Sequence, residues 1–442
     1  MRRSWISLPL AALLAACGPE TATLDRMEAE LAQRLARPAE PVAPAGPLAQ
    51  RFDKALNAAV LADPGYRAAR AREAAALAAI GGARALRRPQ ISGSATAGAI
   101  RETDPDDTTA GLAGEVSLTQ NVYDGGESRG AIDRAEANAL AARAARAERA
   151  NEAALAAATS WVELWQFDAR LALLNARTRE MDGLVDQIGR MARNGMLDKS
   201  AHDAARRKIA DIDLTRAELE GQRETARSRF RRHFGSLPAR LAVPHDLVGP
   251  RGLPALVAAW PAGPKLRRAA AELLAAEAAL VEARAAFRPK VALQAGLASP
   301  MEESESTDAS AGLRISYTFG DGGRRRASLQ AAEDRVTALE AGLAEVRATA
   351  GEEMRGALAR LETIDRAMPL IARKIALSRS EAETARSQIV TGQSNLRQLV
   401  DAEIERYRAE DQKIRMQAER LVLHLAIMAG AGELAQAIGI GD

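Results

Sequence analysis

The chain has 442 residues, 47% of them hydrophobic but only 3% aromatic, and its 61 basic and 58 acidic residues nearly cancel. So small an aromatic supply excludes the usual core in which Phe, Tyr and Trp dominate the buried area. The absence of a basic domain with interleaved aromatics excludes nucleic acid as a partner. Alanine mixed with Leu, Arg and Glu points instead to long helices packed at close range.

The N-terminus comes first. Arg2 and Arg3 precede a short apolar stretch, Ile6 to Ala16, too short to span a bilayer as a helix but laid out like a secretory signal. It ends in Leu14-Ala15-Ala16-Cys17-Gly18, which resembles the lipobox of bacterial lipoproteins. Residues 1–16 are therefore read as a signal peptide and Cys17 as the lipidation site of an N-terminal segment, 17–50. An ordinary signal with an incidental cysteine is the alternative. Cys17 is the only cysteine, so no internal disulfide is possible.

An internal repeat organises the rest. Ala55-Leu56 through Asp63-Pro64 recurs as Ala255-Leu256 through Gly263-Pro264, and Arg88-Pro89-Gln90-Ile91 as Arg288-Pro289-Lys290-Val291, both at an offset of 200. Val122-Tyr123-Asp124-Gly125-Gly126 recurs as Phe319-Gly320-Asp321-Gly322-Gly323, and Arg193-Asn194-Gly195 as Val390-Thr391-Gly392, at an offset of 197. The chain is read as a duplicated unit, 51–240 and 241–430, with a C-terminal tail at 431–442.

Each unit opens with a helix of about twenty residues that starts at a proline (Pro64, Pro264) and stops before the next (Pro89, Pro289). Period-two alternation follows and predicts strands at about 89–100 and 111–123, and again at about 289–299 and 311–320. On one face stand Ile91, Gly93, Ala95, Ala97, Leu112, Gly114, Val116, Leu118 and Val122; Gln90, Ser92, Ser94, Glu115, Ser117 and Thr119 stand on the other. Acidic loops, Glu102 to Thr109 and Glu302 to Ser310, join each pair. Strands of about ten residues match what a tilted strand needs to cross a bilayer, and a solvated hairpin is the alternative. Four strands cannot close a barrel, and an open edge in lipid leaves backbone groups unsatisfied, so copies would have to share one.

The strand-to-helix turns, Asp124-Gly125-Gly126 and Asp321-Gly322-Gly323, lead into proline-poor helical patterns from about Ser128 to Arg193 and from Arg324 to about Thr391. Some 65 residues make about 100 Å of helix, a length that implies a coiled coil or helical tube. Leu155, Trp161, Val162, Leu164, Trp165 and Leu171 belong to its apolar stripe. Return helices, Asp198 to Phe234 and Ser394 to about Ala429, follow turns at Gly195 and Gly392.

Gly126-Glu127-Ser128-Arg129-Gly130 fits the G-x-S-x-G nucleophile elbow. The equivalent Gly323-Arg324-Arg325-Arg326-Ala327 lacks a serine, and no βαβ pattern supports a hydrolase sheet, so Ser128 is read as a helix N-cap. An esterase is the remote alternative. The four His residues show no H-E-x-x-H or i,i+4 pairing, so neither a metal nor another cofactor is expected.

The order short helix, hairpin, Asp-Gly-Gly, long helix, glycine turn and return helix, given twice, resembles the TolC family of outer-membrane factors. Leu118-Thr119-Gln120-Asn121-Val122-Tyr123-Asp124-Gly125-Gly126 and Arg88-Pro89-Gln90-Ile91 carry the nearest local likeness, over roughly residues 50 to 430. The resemblance implies a mainly α fold with a small transmembrane β part: a homotrimer with a shared twelve-stranded β-barrel and a periplasmic α-helical tunnel. It implies an outer-membrane exit duct of a tripartite efflux or type I secretion system, partnered by a periplasmic adaptor (membrane fusion protein) and an inner-membrane ABC or proton-driven transporter. Lipid on Cys17 would match the lipidated branch.

Where the family often carries two acids three residues apart at its periplasmic tip, this chain has Gln398 and Asp401. Three copies of Asp401 around an axis would raise one another's pKa and attract cations; an ordinary solvated residue is the other reading. Asn194-Gly195-Met196-Leu197, with Gly392 in the second copy, resembles the turns on which adaptors dock. A lipid-anchored periplasmic coiled-coil scaffold is the alternative function.

Overall fold

The computed structural model describes residues 24–36, 51–103, 106–193, 199–238, 241–245, 247, 252–299, 306–390 and 396–441. The chain divides into a short N-terminal unit and a body from residue 43 onward. In the first unit, α1 (Leu24–Ala36) leaves Met27, Leu31 and Leu35 exposed along one side at i,i+4 spacing.

The body repeats one motif. α2 (Phe52–Ala62) leads into α3 (Pro64–Ala85), β1 (Gln90–Thr103), β2 (Asp106–Tyr123), α4 (Glu127–Arg193) and α5 (Lys199–Phe234). After α6 (Leu253–Ala259) and a 3-10 turn (Trp260–Ala262) come α7 (Pro264–Ala285), β3 (Lys290–Ser299), β4 (Asp308–Ser316), α8 (Arg324–Val390), α9 (Leu396–Ala431) and α10 (Leu434–Ala437). Equivalent helices have equal lengths: 22 residues for α3 and α7, 67 for α4 and α8, 36 for α5 and α9. Pro369 lies inside α8 without ending it.

The helix boundaries follow from local chemistry. Asp63 accepts the Tyr66 N–H (2.8 Å) and Pro64 occupies the first turn of α3, where a missing donor costs nothing. Both strands of the first hairpin run into the segment expected to be an acidic loop, because Glu102 pairs with Asp107 and Thr103 with Asp106.

The four strands form one antiparallel sheet in the order β1-β2-β3-β4. The two hairpins share a register at the offsets of the repeat: Ile91 faces Leu118 as Val291 faces Ile315. Between Asn121 and Tyr123 the β2–β3 register shifts, so Tyr123 faces Val291. This bulge corrects the alternation expected there. One extra residue at Val122 rephases the strand and puts Tyr123 on the apolar face with Val291.

The scarce aromatics are gathered in one place. Trp161 on α4 meets Phe52 (5.5 Å between ring centres), Phe230 (5.4 Å) and Phe234 (5.3 Å), and its indole N–H donates to the Ala242 carbonyl (3.0 Å). Elsewhere on α4 buried alanines (Ala150, Ala154, Ala157, Ala158) let helices approach closely. Leu434, Ile438 and Ile440 close the same core from the C-terminus, tied by the Asn57 amide to the Ile438 carbonyl and by the Ala435 N–H to Asn151 Oδ1. No helix among the described residues is long and apolar enough to cross a membrane.

Candidate functional site

The sheet has two chemically distinct faces. Residues directly opposite one another share a face, so the register stacks Ile91, Leu118, Ala295 and Ala311 in one row, and Ser92, Ser117, Gly296 and Ser310 in the next. The Ser92 and Ser117 hydroxyls lie 2.8 Å apart on the polar side, which also carries Glu115, Gln294 and Arg314. On the apolar side Ile91, Leu112, Val116, Leu313 and Ile315 are exposed, so nothing among the described residues covers this face. β1 and β4 each present an unpaired edge.

At each strand-to-helix turn the same device recurs. Gly125 and Gly126 have φ of 68° and 103°, Gly322 and Gly323 of 67° and 94°, a region that favours glycine. Asp124 accepts the N–H of Gly126 (3.0 Å) and of Ser128 (2.9 Å); Asp321 accepts those of Gly323 (3.1 Å) and Arg325 (3.0 Å). Burial alone would push the Asp124 carboxyl up; the hydrogen bonds from Ser128 and Gly126 and the Arg87 charge outweigh it and hold it below its ordinary value. Asp124 is therefore the capping group, not Ser128 as expected, because its carboxylate accepts at once the orphan Ser128 N–H of the first turn and the Gly126 N–H just before the helix.

Between the long helix of the first repeat and the return helix of the second runs a ladder of ion pairs. Arg170 on α4 grips Asp411 on α9 (2.6 and 3.3 Å), and two turns along Arg177 grips Glu410 through two bonds of 2.9 Å. Arg406 links Glu410 (3.5 Å) to Glu403 (3.6 Å), which also takes Arg386 of α8 (2.8 Å). Glu403 and Asp411 are buried. None of these residues stood out in the sequence. The signal was present in Arg170 and Arg177, seven residues apart and so on one face of a helix, and in the matching run Glu403, Arg406, Glu410.

Gln398 and Asp401 are exposed on the first turns of α9 and line a groove with Glu381, Gln388 and Glu405 on the α8–α9 hairpin. Glu381 and Glu405 join Asp401 as carboxylates there, which sequence reasoning missed. The docking turns at Asn194, Gly195, Met196, Leu197 and Gly392 lie outside the described residues, as does Cys17.

A model of the outer membrane efflux protein family matches the chain twice, over residues 55–236 and 259–433. The chain belongs to that family. The two matched stretches carry the two copies of the repeat. Solved structures show the same fold: CusC (20% identity, covering 92% of this chain and 98% of that one, TM-score 0.74), VceC from Vibrio cholerae (17%, 86% and 95%, 0.74) and CmeC from Campylobacter jejuni (13%, 88% and 89%, 0.74). Comparison with curated proteins gives no match. The family places the chain in the outer membrane as an efflux channel, mainly α with a small β part, and it is a family of channels rather than enzymes. The geometry at Ser128 agrees. Its side chain is buried and its hydroxyl accepts from Arg87 Nε (3.1 Å), a permanently charged donor that cannot serve as a general base. Among the described residues no group of His, Cys, Asp and Glu could hold a metal ion.

Proposed function

We propose that three copies close their four-stranded sheets into a twelve-stranded barrel in the outer membrane, with the long helices continuing as a periplasmic tunnel. One observation carries this reading: a sheet with an uncovered apolar face, a polar opposite face and two unpaired edges. Backbone groups at such edges are tolerable in lipid only if another copy pairs them. A lipid-anchored scaffold would have no use for the uncovered apolar face.

The duct conducts passively, as the exit of a tripartite efflux or type I secretion system whose inner-membrane transporter supplies the energy. A periplasmic adaptor docks at the turns around Gly195 and Gly392, and lipid on Cys17 adds an anchor. The ladder from Arg170 to Glu403 supports a gate in which α9, carrying Asp401, swings away from α4. The protein is expected to sediment with outer membranes and, once purified in detergent, to run as a heat-resistant trimer and give steady conductance in planar bilayers without nucleotide. A monomer without conductance would overturn the reading.

A further inference from the structure

The two ends of the sheet carry opposite charge. The connections 101–109 and 300–310 at one end hold eight acidic residues and a single basic one, Arg101. At the other end strand gives way to helix, and there residues 87–90, 121–129, 287–290 and 317–326 hold eight basic residues against three acidic ones. Those three acids are already engaged: Asp124 and Asp321 cap their turns, and Glu127 pairs with Lys290. The excess is densest at Arg324, Arg325 and Arg326, the first turn of α8. The macrodipole favours acids at that end of a helix, and the equivalent turn of α4 begins with Glu127. Three arginines there work against the helix itself, so their compensation comes from outside it.

The aromatic residues of the sheet region gather at the same end. Residues 90–122 and 290–316 contain none. Tyr123, Phe287, Tyr317 and Phe319 stand at the helix end and are exposed, Phe319 at 92%. Tyr123 faces Val291 on the apolar side, and Tyr317 follows two residues after Ile315 of that side. The Tyr317 and Phe319 rings meet at 4.9 Å between centres. Arg325 lies over Phe287 (5.3 Å) and Tyr317 (5.9 Å) and is tied within the chain. Its neighbours Arg324 and Arg326 are exposed, and their guanidinium groups find no partner among the described residues.

We infer that this corner is a docking surface for an anionic phospholipid of the inner leaflet, its acyl chains against Ile315, Tyr317 and Phe319 and its phosphate held by Arg324 and Arg326. This rests on the barrel proposed above and adds the class of lipid that its periplasmic rim selects. Continuity and charge name the occupant. The uncovered apolar face runs on into the rings, and aromatic rings at a barrel's rim sit at the level of the headgroups. The two guanidinium groups follow directly behind the rings, at the depth of the phosphate, which arginine takes through paired, charge-assisted hydrogen bonds. An anion free in water could use the arginines but has no use for the rings. The acidic far end repels such a headgroup, which confines it to the helix end.

The full-length protein, purified in neutral detergent, is titrated with phosphatidylglycerol, phosphatidylethanolamine or inorganic phosphate. Native mass spectrometry counts bound lipid, and thermal unfolding gives the midpoint. Phosphatidylglycerol is expected to bind more tightly than phosphatidylethanolamine and to raise the midpoint, and inorganic phosphate to leave it unchanged. Arg324→Gln with Arg326→Gln should weaken phosphatidylglycerol roughly thirtyfold, about fivefold for each arginine at an anionic surface. The midpoint in phosphatidylethanolamine should stay where it was. Arg335→Gln with Arg347→Gln removes the same charge from exposed positions about 15 and 35 Å further along α8 and should keep the preference. A protein that conducts but binds both lipids alike overturns the site and leaves the barrel standing. So does a preference that survives the Arg324 and Arg326 changes, or one that falls equally with Arg335 and Arg347. Equal stabilisation by inorganic phosphate reduces the corner to a plain anion site and overturns the lipid. A chain that neither floats with phosphatidylglycerol vesicles nor conducts overturns both readings.

Discussion

Arg170 and Asp411 stand 241 residues apart in sequence and meet at 2.6 Å, tying the long helix of the first repeat to the return helix of the second. Asp411 is also reached by Arg415 (3.1 Å) from its own helix. The pair thus lies between the two elements that must separate if α9 swings away from α4.

Replacing Arg170 by Ala leaves a buried carboxylate with only a half-exposed partner. The expected cost is about 3 kcal/mol, the lower end for breaking a buried pair, because Arg415 remains. Larger single-channel conductance and greater sensitivity of cells to bulky antibiotics are the measurements; unchanged conductance would remove the ladder from the gate. Asp411→Asn should do less, since the amide oxygen still accepts from Arg170, the less buried of the two partners.

The strand-to-helix turns predict an acid limit. The Asp124 carboxyl is held below its ordinary value, so the folded state binds the proton less well than the unfolded chain. Its contribution is complete above the ordinary carboxylate range and is lost as pH falls through the depressed folded value. Asp124→Asn should flatten that part of the thermal-stability profile and lower stability at neutral pH by about 1 kcal/mol, as loss of a helix cap does. A profile identical to the parent's would refute it.

At the aromatic cluster, Trp161→Ala should cost about 3–5 kcal/mol, the range for emptying a large core site. Trp161→Phe keeps part of the packing and loses the hydrogen bond to Ala242, so a smaller loss is expected. Thermal unfolding followed by circular dichroism separates the two.

Gly125→Ala and Gly322→Ala carry the same positive-φ penalty, near 1–2 kcal/mol. Only at Gly125 would the new methyl also strike Arg288, 2.6 Å from its Cβ. Gly125→Ala is therefore expected to lower the denaturant midpoint of the single chain more than Gly322→Ala; equal midpoints would contradict the packing described.

Much of the fold is legible locally. Pro64 and Pro264 start helices, Pro89 and Pro289 stop them, and the Asp-Gly-Gly triplets mark both turns, because each works through its own backbone geometry. The misread cap at Ser128 has the same scale but needed coordinates: Asp124 and Ser128 were both plausible acceptors, and only the turn's geometry chose between them. The Val122 bulge was invisible because period-two alternation continues through it on paper; the shift exists only in relation to β3.

What the sequence by itself determined is the duplicated unit, its element order and the two faces of the strands, since period, proline and glycine act over a few residues. The tertiary structure alone decided which long helices touch, that Arg170 finds Asp411, that the few aromatic rings converge on Trp161, and that β1 and β4 are left as edges. Such relations join positions hundreds of residues apart through three-dimensional packing, and no local period in the chain encodes them.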